Sequence, residues 1–369
     1  MKFLHIADVH LDQMINNVGE NENKRRHEII EAFSRAIHYI KNMKIEYLFI
    51  AGDFYEHKYI KDTTIEIIIN LFKEISNTKI FITPGNHDPF VKDSIYDRFD
   101  FPENVYIFRN MEMVETKDAN IFGFGFTDFY PPKNVNFGNI KPLKNGKKNI
   151  LIAHTDIYSK KYEYDKEIYR LMKKDFDYIA LGHIHSGNYS KNSKKIYPGS
   201  FAEFTFKAAD GGTTGGVFGI IERGVLKTEL LEFDNKKYIK YKYDISSENS
   251  LNSIIMNLNN LKFKSNEVVR IVFVGTKKIS INKKFILDNL RNENIIQIED
   301  QSKLMLDYKK YKNEISLRGI YVKKADNIIE NLKKKQEICV DDNERENYYK
   351  KIKLIEKAIL LVLEEMNNI

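Results

Sequence analysis

The sequence predicts an α/β layered domain, then a small α/β unit and a charged helical tail. Two observations predict the first part. Short, continuous apolar runs alternate with segments of helical period as far as Gly182-His183-Ile184-His185, the pattern of a sheet buried on both faces by helices. Each run is also followed at once by polar residues of one chemical kind, Asp, Asn or His. A third observation predicts the tail: from about Gln301 onward, apolar positions recur every three or four residues within dense charge. A chain of 369 residues has room for two or three domains. The boundaries expected are 1–236, 237–313 and 314–369.

In order, Lys2 to Ala7 reads as a strand ending at Asp8. Asn23 to Met43 reads as a helix, because Ile29, Ile30, Phe33, Ile37 and Ile40 share one stripe. Ile45 to Ala51 is an apolar strand that ends at Gly52-Asp53, and Thr63 to Ile75 is a helix. That helix is apolar on more than one face, which suits either a twin helix in a dimer or deep burial within one chain. Lys79 to Thr83, Asn120 to Phe126, Asn149 to Ala153 and Asp177 to Leu181 are further strands, with Tyr162 to Lys174 a helix before the last. From Lys195 to Phe233, runs broken by Gly and Pro read as hairpins of a second sheet.

Beyond Lys236, Lys237 to Tyr243, Val268 to Val274 and Ile295 to Ile298 read as strands. A helix capped by Ser247 and another from Asn282 to Arg291 separate them, a compact β-α-β-α-β unit. The tail offers a helix from about Leu317 to Lys335 and a second from Asn343 to Asn367, joined by Val340-Asp341-Asp342-Asn343 as turn and cap. In the second helix Tyr348, Ile352, Ile355, Ile359, Leu363 and Met366 form a seam. Two helices alone make a poor core, so this seam is expected to serve a partner's surface rather than to fold back on its own chain.

Composition narrows the function classes. No apolar stretch approaches the ~20 residues of a membrane span, and the opening MKFLHIADVHLD shows no signal peptide. One cysteine, Cys339, excludes an intramolecular disulfide and fits a reducing cytoplasm. A net charge of +7 is compatible with a nucleic-acid partner without demanding one.

The polar residues at the strand ends carry the chemistry. They are Asp8 and His10, Asp53, Asn86 and His87, His154, and His183 with His185. On an extended backbone residues two apart point the same way, so Asp8 and His10, or His183 and His185, can reach one ion. Asp53 has two oxygens and can bridge two cations. Mixed nitrogen and oxygen donors without thiolate suit Mn, Fe, Co or Zn, and Mg less well. Two such ions at close range form a device for attacking phosphate esters. His87 is the candidate acid for the leaving oxygen, and Gly85 is expected to free the backbone that aims Asn86 and His87. His5, His27 and His38 read as ordinary strand and helix residues, and His57 is ambiguous.

The series Asp-x-His, Gly-Asp, Gly-Asn-His-Asp, lone His, Gly-His-x-His resembles that of the calcineurin-like metallophosphoesterases. The resemblance implies a two-sheet sandwich flanked by helices. It implies that Asp8, His10, Asp53 and His185 hold one metal, that Asp53, Asn86, His154 and His183 hold the other, and that His87 stands above both and meets the phosphate. Within this superfamily the chain is most similar to the meiotic-recombination-eleven nuclease family in its archaeal form. HIADVHLD with a basic helix after it, Gly52-Asp53-Phe54-Tyr55, Gly182-His183-Ile184-His185 with Tyr197-Pro198-Gly199-Ser200, and the small unit and helical tail carry that likeness.

This second resemblance implies manganese-dependent exonuclease and single-strand endonuclease activity on DNA at double-strand breaks. It also implies a cap over DNA, a homodimer, a cytoplasmic, nucleoid-associated location, and a tail that grips a coiled-coil ABC ATPase. The chain departs from the pattern at Glu56, where the family often has His, and at Phe201-Ala202-Glu203-Phe204, where it often has Glu-Arg. Two rival readings are a small-substrate or cyclic-nucleotide phosphodiesterase with the same metals, and a DNA-binding scaffold without catalysis.

Overall fold

A computed structural model describes residues 1–14, 22–133, 135–159, 161–203, 206, 212–304, 308–339 and 341–368. Two compact units divide the chain: Met1–Lys240 with Lys264–Val269, and Tyr241–Phe263 with Arg270–Ile369. The expected residues Phe204, Val340 and Ile369 lie outside the described set.

The first unit opens with β1 (Lys2–Ile6), α1 (Glu22–Met43), β2 (Tyr47–Ile50), α2 (Asp62–Glu74), β3 (Lys79–Ile82), α3 (Ile95–Arg98) and β4 (Val105–Ile107). It continues through β5 (Glu112–Glu115), β6 (Ala119–Gly123), β7 (Lys148–His154), α4 (Glu163–Leu171), β8 (Tyr178–Gly182) and β9 (Lys195–Ile196). The hairpin β10 (Gly216–Glu222) and β11 (Val225–Leu231) completes it. Two sheets result, one ordered β11-β10-β1-β2-β3-β4 and the other β5-β6-β7-β8-β9.

Alternation along the strands explains the layers. Phe3, Phe49 and Phe81 pack with Ile121, Ile150, Ile152 and Tyr178 between the two sheets. The neighbouring residues Leu4, Leu48, Ile50 and Ile80 point the other way, onto Phe33 and Ile37 of α1 and Ile68 and Phe72 of α2. On the second sheet Leu151, Ile179 and Leu181 face Tyr164, Ile168 and Leu171 of α4. Each central strand is covered on both faces, so its sequence is continuously apolar. The architecture is the two-sheet sandwich flanked by helices that the resemblance implies.

Three expectations change. The hairpin after Lys195 does not found a second sheet; β10 pairs antiparallel with β1 and extends the first one. The second sheet is built from β5 to β9, and its edge strand β5, like β4, carried too short an apolar run to read in advance. The faces of α2 are also settled: Ile65, Ile68, Ile69, Leu71, Phe72 and Ile75 are all buried within this chain, leaving Ile67 as the exposed isoleucine.

The second unit and its junction with the first carry β12 (Lys237–Asp244), α5 (Leu251–Asn260), β13 (Glu267–Val274), β14 (Thr276–Lys277), α6 (Lys283–Asp288), β15 (Ile295–Asp300) and β16 (Lys303–Leu304). The sheet order is β12-β13-β15. The cap of α5 is Ser250, whose side chain accepts from the Ser253 amide, rather than Ser247.

Two long helices follow, α7 (Leu317–Ile338) and α8 (Asp342–Asn368), with Asp341 Oδ1 accepting from the Glu344 amide at 2.9 Å as the cap of α8. The seam of α8 does not await a partner. Ile352, Ile359 and Leu363 are buried against Val322, Ile329 and Tyr311 of the same chain. The reading in which the helices fold back is therefore the correct one for the seam. The apolar residues left exposed are others, among them Ile320, Ile328, Leu354 and Leu361.

Candidate metal centre

Strands β1, β2 and β3 run parallel, as do β7 and β8, so their C-terminal ends lie along one edge of each sheet. The eight polar residues singled out in the sequence lie at those ends, His154 as the last residue of β7 and the others beyond their strands. They do not reach inward by simple alternation. Asp8, His10 and Asp53 have φ of 51°, 48° and 49°, and His183 has 99°. A left-handed conformation costs an L-residue roughly 1–2 kcal/mol, and such strain persists where surrounding contacts hold it. Here the His183 amide donates to both Asp8 carboxylate oxygens, at 3.1 and 3.0 Å, and the His10 amide donates to the Asp53 carbonyl at 3.0 Å.

Two glycines leave room for the site. At Gly52 (φ +83°) a Cβ would stand 2.2 Å from His154 Nδ1. At Gly85 a Cβ would stand 2.3 Å from Asp53 Oδ1. Gly85 therefore makes space for Asp53, and its φ lies outside the left-handed region.

The side chains converge in two groups that share Asp53. Asp8, His10, Asp53 and His185 form one, and Asp53, His154 and His183 the other, with the donor atoms of each within 4.8 Å of one another. Asp53 Oδ2 lies 3.2 Å from His154 Nε2 and 3.8 Å from His10 Nε2. Asn86 Oδ1 lies 3.2 Å from His154 Nε2 and so joins the second group. His87 stays outside both; its ring stands 4.9 Å from that of His10.

The donor set fits divalent cations on the pattern of its outer hydrogen bonds. His10 Nδ1 meets Glu56 Oε1 at 2.8 Å, and His154 Nδ1 meets the Ala51 carbonyl at 3.0 Å. These acceptors fix the proton on Nδ1 and aim the Nε2 lone pair inward, the arrangement of a ligating histidine. Inward nitrogens then face each other: His10 Nε2 lies 3.1 Å from His185 Nε2, and His183 Nδ1 lies 3.2 Å from His154 Nε2. Such pairs repel unless a cation or proton lies between them.

Electrostatics agree. Burial lowers His183 to about 4, which keeps its ring neutral. Burial also works to lower His154, but the Asp53 carboxylate more than offsets it and raises His154 to about 9. Asp53 is buried, yet His154 and His10 hold it well below the ordinary carboxylate range. Burial pushes Asp8 up to about 6. A cation entering this site displaces protons.

Two residues belong to the site that the sequence reading did not nominate. Glu56 binds His10 and also reaches His87 Nδ1, with Oε2 at 3.1 Å. Burial works to raise its carboxyl, but hydrogen bonds to the two histidines carry it down to about 2. The hydrogen bond to Glu56 in turn raises His87 to about 9. Asp88 is fully buried and accepts from the amides of Asp53, Phe54 and Gly85 at 3.0, 2.9 and 2.6 Å and from Tyr96 Oη at 2.6 Å. It ties the turn after β2 to the turn after β3. The signals were present: Asp88 completes Gly-Asn-His-Asp, and Glu56 occupies the position where the resemblance expects histidine.

The remaining histidines fall as expected or outside the groups. His5 Nδ1 meets Tyr178 Oη at 2.9 Å in the core, and His38 bonds the Ser34 carbonyl within α1. The ring of His57 packs at 5.2 Å on Phe129 and contributes to neither ligand group. Among the described residues no helix is long and apolar enough to cross a membrane.

Comparison with known proteins agrees with this geometry. The family model described as calcineurin-like phosphoesterase matches residues 1–187. The DNA double-strand break repair protein Mre11 of Methanopyrus kandleri is 23% identical over a 274-residue alignment that covers 66% of this chain and 56% of that protein. The chain thus spans little more than half the length of that relative. One component of the nuclease SbcCD of Staphylococcus epidermidis, SbcD, is 20% identical over a 360-residue alignment that covers 85% of this chain and 93% of that protein. A crystal structure of a dimetal phosphatase from Danio rerio aligns with 60% of this chain and 93% of its own, at 9% identity and a TM-score of 0.41. With the family model covering half of its residues and the matching donors gathered at one edge of its sandwich, this chain belongs to the calcineurin-like phosphoesterases.

Proposed function

We propose that this chain is a manganese-dependent DNA nuclease, cutting as an exonuclease and a single-strand endonuclease at double-strand breaks in complex with a coiled-coil ABC ATPase. The observation that carries the reading is the length of one likeness. The general phosphoesterase match ends at residue 187, whereas likeness to the SbcCD nuclease component covers 85% of this chain. Wherever it starts, a likeness of that extent takes in the small α/β unit, a part that a small-ester hydrolase does not need. On this reading the expected divisions 1–236, 237–313 and 314–369 are nuclease, DNA-capping and ATPase-binding parts. The exposed Ile320, Ile328, Leu354 and Leu361 of the tail are the surface offered to the ATPase.

In this proposal Asp8, His10, Asp53 and His185 hold one ion, and Asp53, Asn86, His154 and His183 the other. Bound divalent ions supply Lewis acidity toward the phosphate and a nucleophile at neutral pH. The chain's own residues do the rest. Glu56 holds His87 by Nδ1, which leaves Nε2 to give a proton to the departing oxygen. Asp88 holds the turn after β2 to the turn after β3, and the Asp8 carboxylate holds the turn after β8, so the donors are preorganised. The homodimer is a further part of the reading, although the buried α2 lends it no support; sedimentation of the purified chain tests it.

The function is tested by assaying the full chain with manganese on single-stranded and duplex DNA and on bis-p-nitrophenyl phosphate. DNA cleavage that disappears in Asp53→Asn and His87→Ala supports the nuclease. Hydrolysis of the small ester with no cleavage of DNA would instead make it a small-substrate phosphodiesterase, and DNA binding without hydrolysis in any divalent ion would make it a scaffold.

A further inference from the structure

A cavity of about 340 Å³ opens beside the second ligand group, and Asn86, His154 and His183 belong to both. Its outer wall is aromatic. Phe129, Tyr130 and Tyr162 line it and are 46%, 71% and 36% exposed, respectively. Large aromatic rings left in water beside a charged site mark a binding surface rather than core packing; the other exposed rings among the described residues of this unit are Tyr106 and Tyr158. Lys161 stands at the same rim with Nζ 5.2 Å from the Tyr162 ring centroid. The place thus combines flat apolar faces, one lysine, two carboxylates (Asp165 and Asp156) already bonded to Thr155 Oγ1 and the Ser159 amide, and direct continuity with the groups proposed to hold the ions.

We propose that this cavity takes the unpaired nucleobase flanking the scissile phosphate, stacked on Tyr130 between Phe129 and Tyr162. The proposal rests on the nuclease reading and deepens it. Each base has a π-face, so stacking is tolerant of sequence, and the volume lies within the range of a site that encloses a small ligand. Lys161 meets the adjoining backbone phosphate. A base still paired in a duplex cannot enter without first leaving its stack. The cavity therefore favours single-stranded or frayed DNA over intact duplex, and it does so through the base beside the cut rather than through the metals.

The test uses the full chain with manganese and a labelled single-stranded oligonucleotide, beside the same oligonucleotide with one abasic residue flanking the mapped cut. Tyr130→Ala lowers kcat/KM on the normal strand by about 5- to 100-fold, mainly through KM, while Tyr130→Phe stays within about twofold. The abasic residue lowers the wild-type rate by a similar factor, and Tyr130→Ala adds little further loss on that substrate. A 2-aminopurine at the same place is quenched on binding to the wild type and not to Tyr130→Ala. Equal cleavage of the normal and abasic strands, or losses that simply multiply, overturns the stacking proposal and leaves the nuclease standing. Failure of the wild type to cut either strand, with hydrolysis of bis-p-nitrophenyl phosphate intact, overturns the nuclease reading itself.

Discussion

Glu56 ties His10 to His87: one carboxylate oxygen lies 2.8 Å from His10 Nδ1 and the other 3.1 Å from His87 Nδ1. A ligand of the proposed first ion and the proposed acid are thereby oriented by a single side chain. Outer partners of ligating histidines typically change metal affinity or activity by about 10–100-fold when removed. Glu56→Gln keeps one acceptor but loses the charge, and is expected to lower kcat/KM by about tenfold. Glu56→Ala is expected to lose about 100-fold and to weaken manganese binding as well. Metal titration beside steady-state kinetics checks this; unchanged values in both variants would remove Glu56 from the site.

The same pair predicts a pH profile for protein stripped of metal by a chelator. Glu56 is lowered from 4.5 to about 2, so its contribution to stability is present above pH 4.5 and is lost as pH falls toward 2. His87 is raised from 6.5 to about 9, so its contribution is present below pH 6.5 and is lost as pH rises through 9. The melting temperature of wild type minus that of Glu56→Gln is therefore expected to be largest between pH 4.5 and 6.5 and to shrink on both sides. A difference that stays flat from pH 2 to pH 9 contradicts the pairing.

How much of this site was legible in the sequence depends on what each residue does. Asp8, His10, Asp53, Asn86, His154, His183 and His185 could be picked out because each follows a buried strand and has a side chain suited to a cation. Convergence in space followed from parallel strands ending at one edge. The backbone that achieves it was not legible: positive φ at Asp8, His10, Asp53 and His183 is imposed by hydrogen bonds between turns far apart in sequence. Glu56 and Asp88 act through other residues, and their partners lie 31 to 46 positions away for Glu56 and 34 to 35 for the Asp53 and Phe54 amides on Asp88. The seam of α8 was read correctly as a seam, but spacing alone does not say whether α7 or a partner fills it. Similarly, short exposed edges such as β4 and β5 carry almost no apolar signal.

Gly85 gives a sharper test of the shared carboxylate than removal of a ligand. A methyl at this position would stand 2.3 Å from Asp53 Oδ1 and 2.8 Å from the Asp53 amide nitrogen. Gly85→Ala must therefore move Asp53 while leaving every proposed donor in the chain. Manganese affinity is expected to fall by more than about tenfold at both sites together, because both groups use Asp53. Isothermal titration resolves this, and loss confined to one site would show that Asp53 is not shared.

The helical tail separates folding from partner capture. Ile359 is fully buried between α7 and α8, and Ile359→Ala is expected to destabilise this unit by about 2–5 kcal/mol. Leu354 and Leu361 on the same helix are 68% and 56% exposed, seven residues apart and so on one face. Replacing both by Glu removes an apolar surface without opening a cavity, and the expected change in stability is within about 0.5 kcal/mol per site. If the tail grips an ATPase, the double Glu variant loses co-purification with it while cleavage of simple DNA substrates by the isolated chain is unaltered. Retained capture would place the ATPase surface elsewhere, with Ile320 and Ile328 on α7 the next to change. A deletion of 342–369 is the cruder form of the same experiment, since it also uncovers Val322 and Ile329, which α8 now buries.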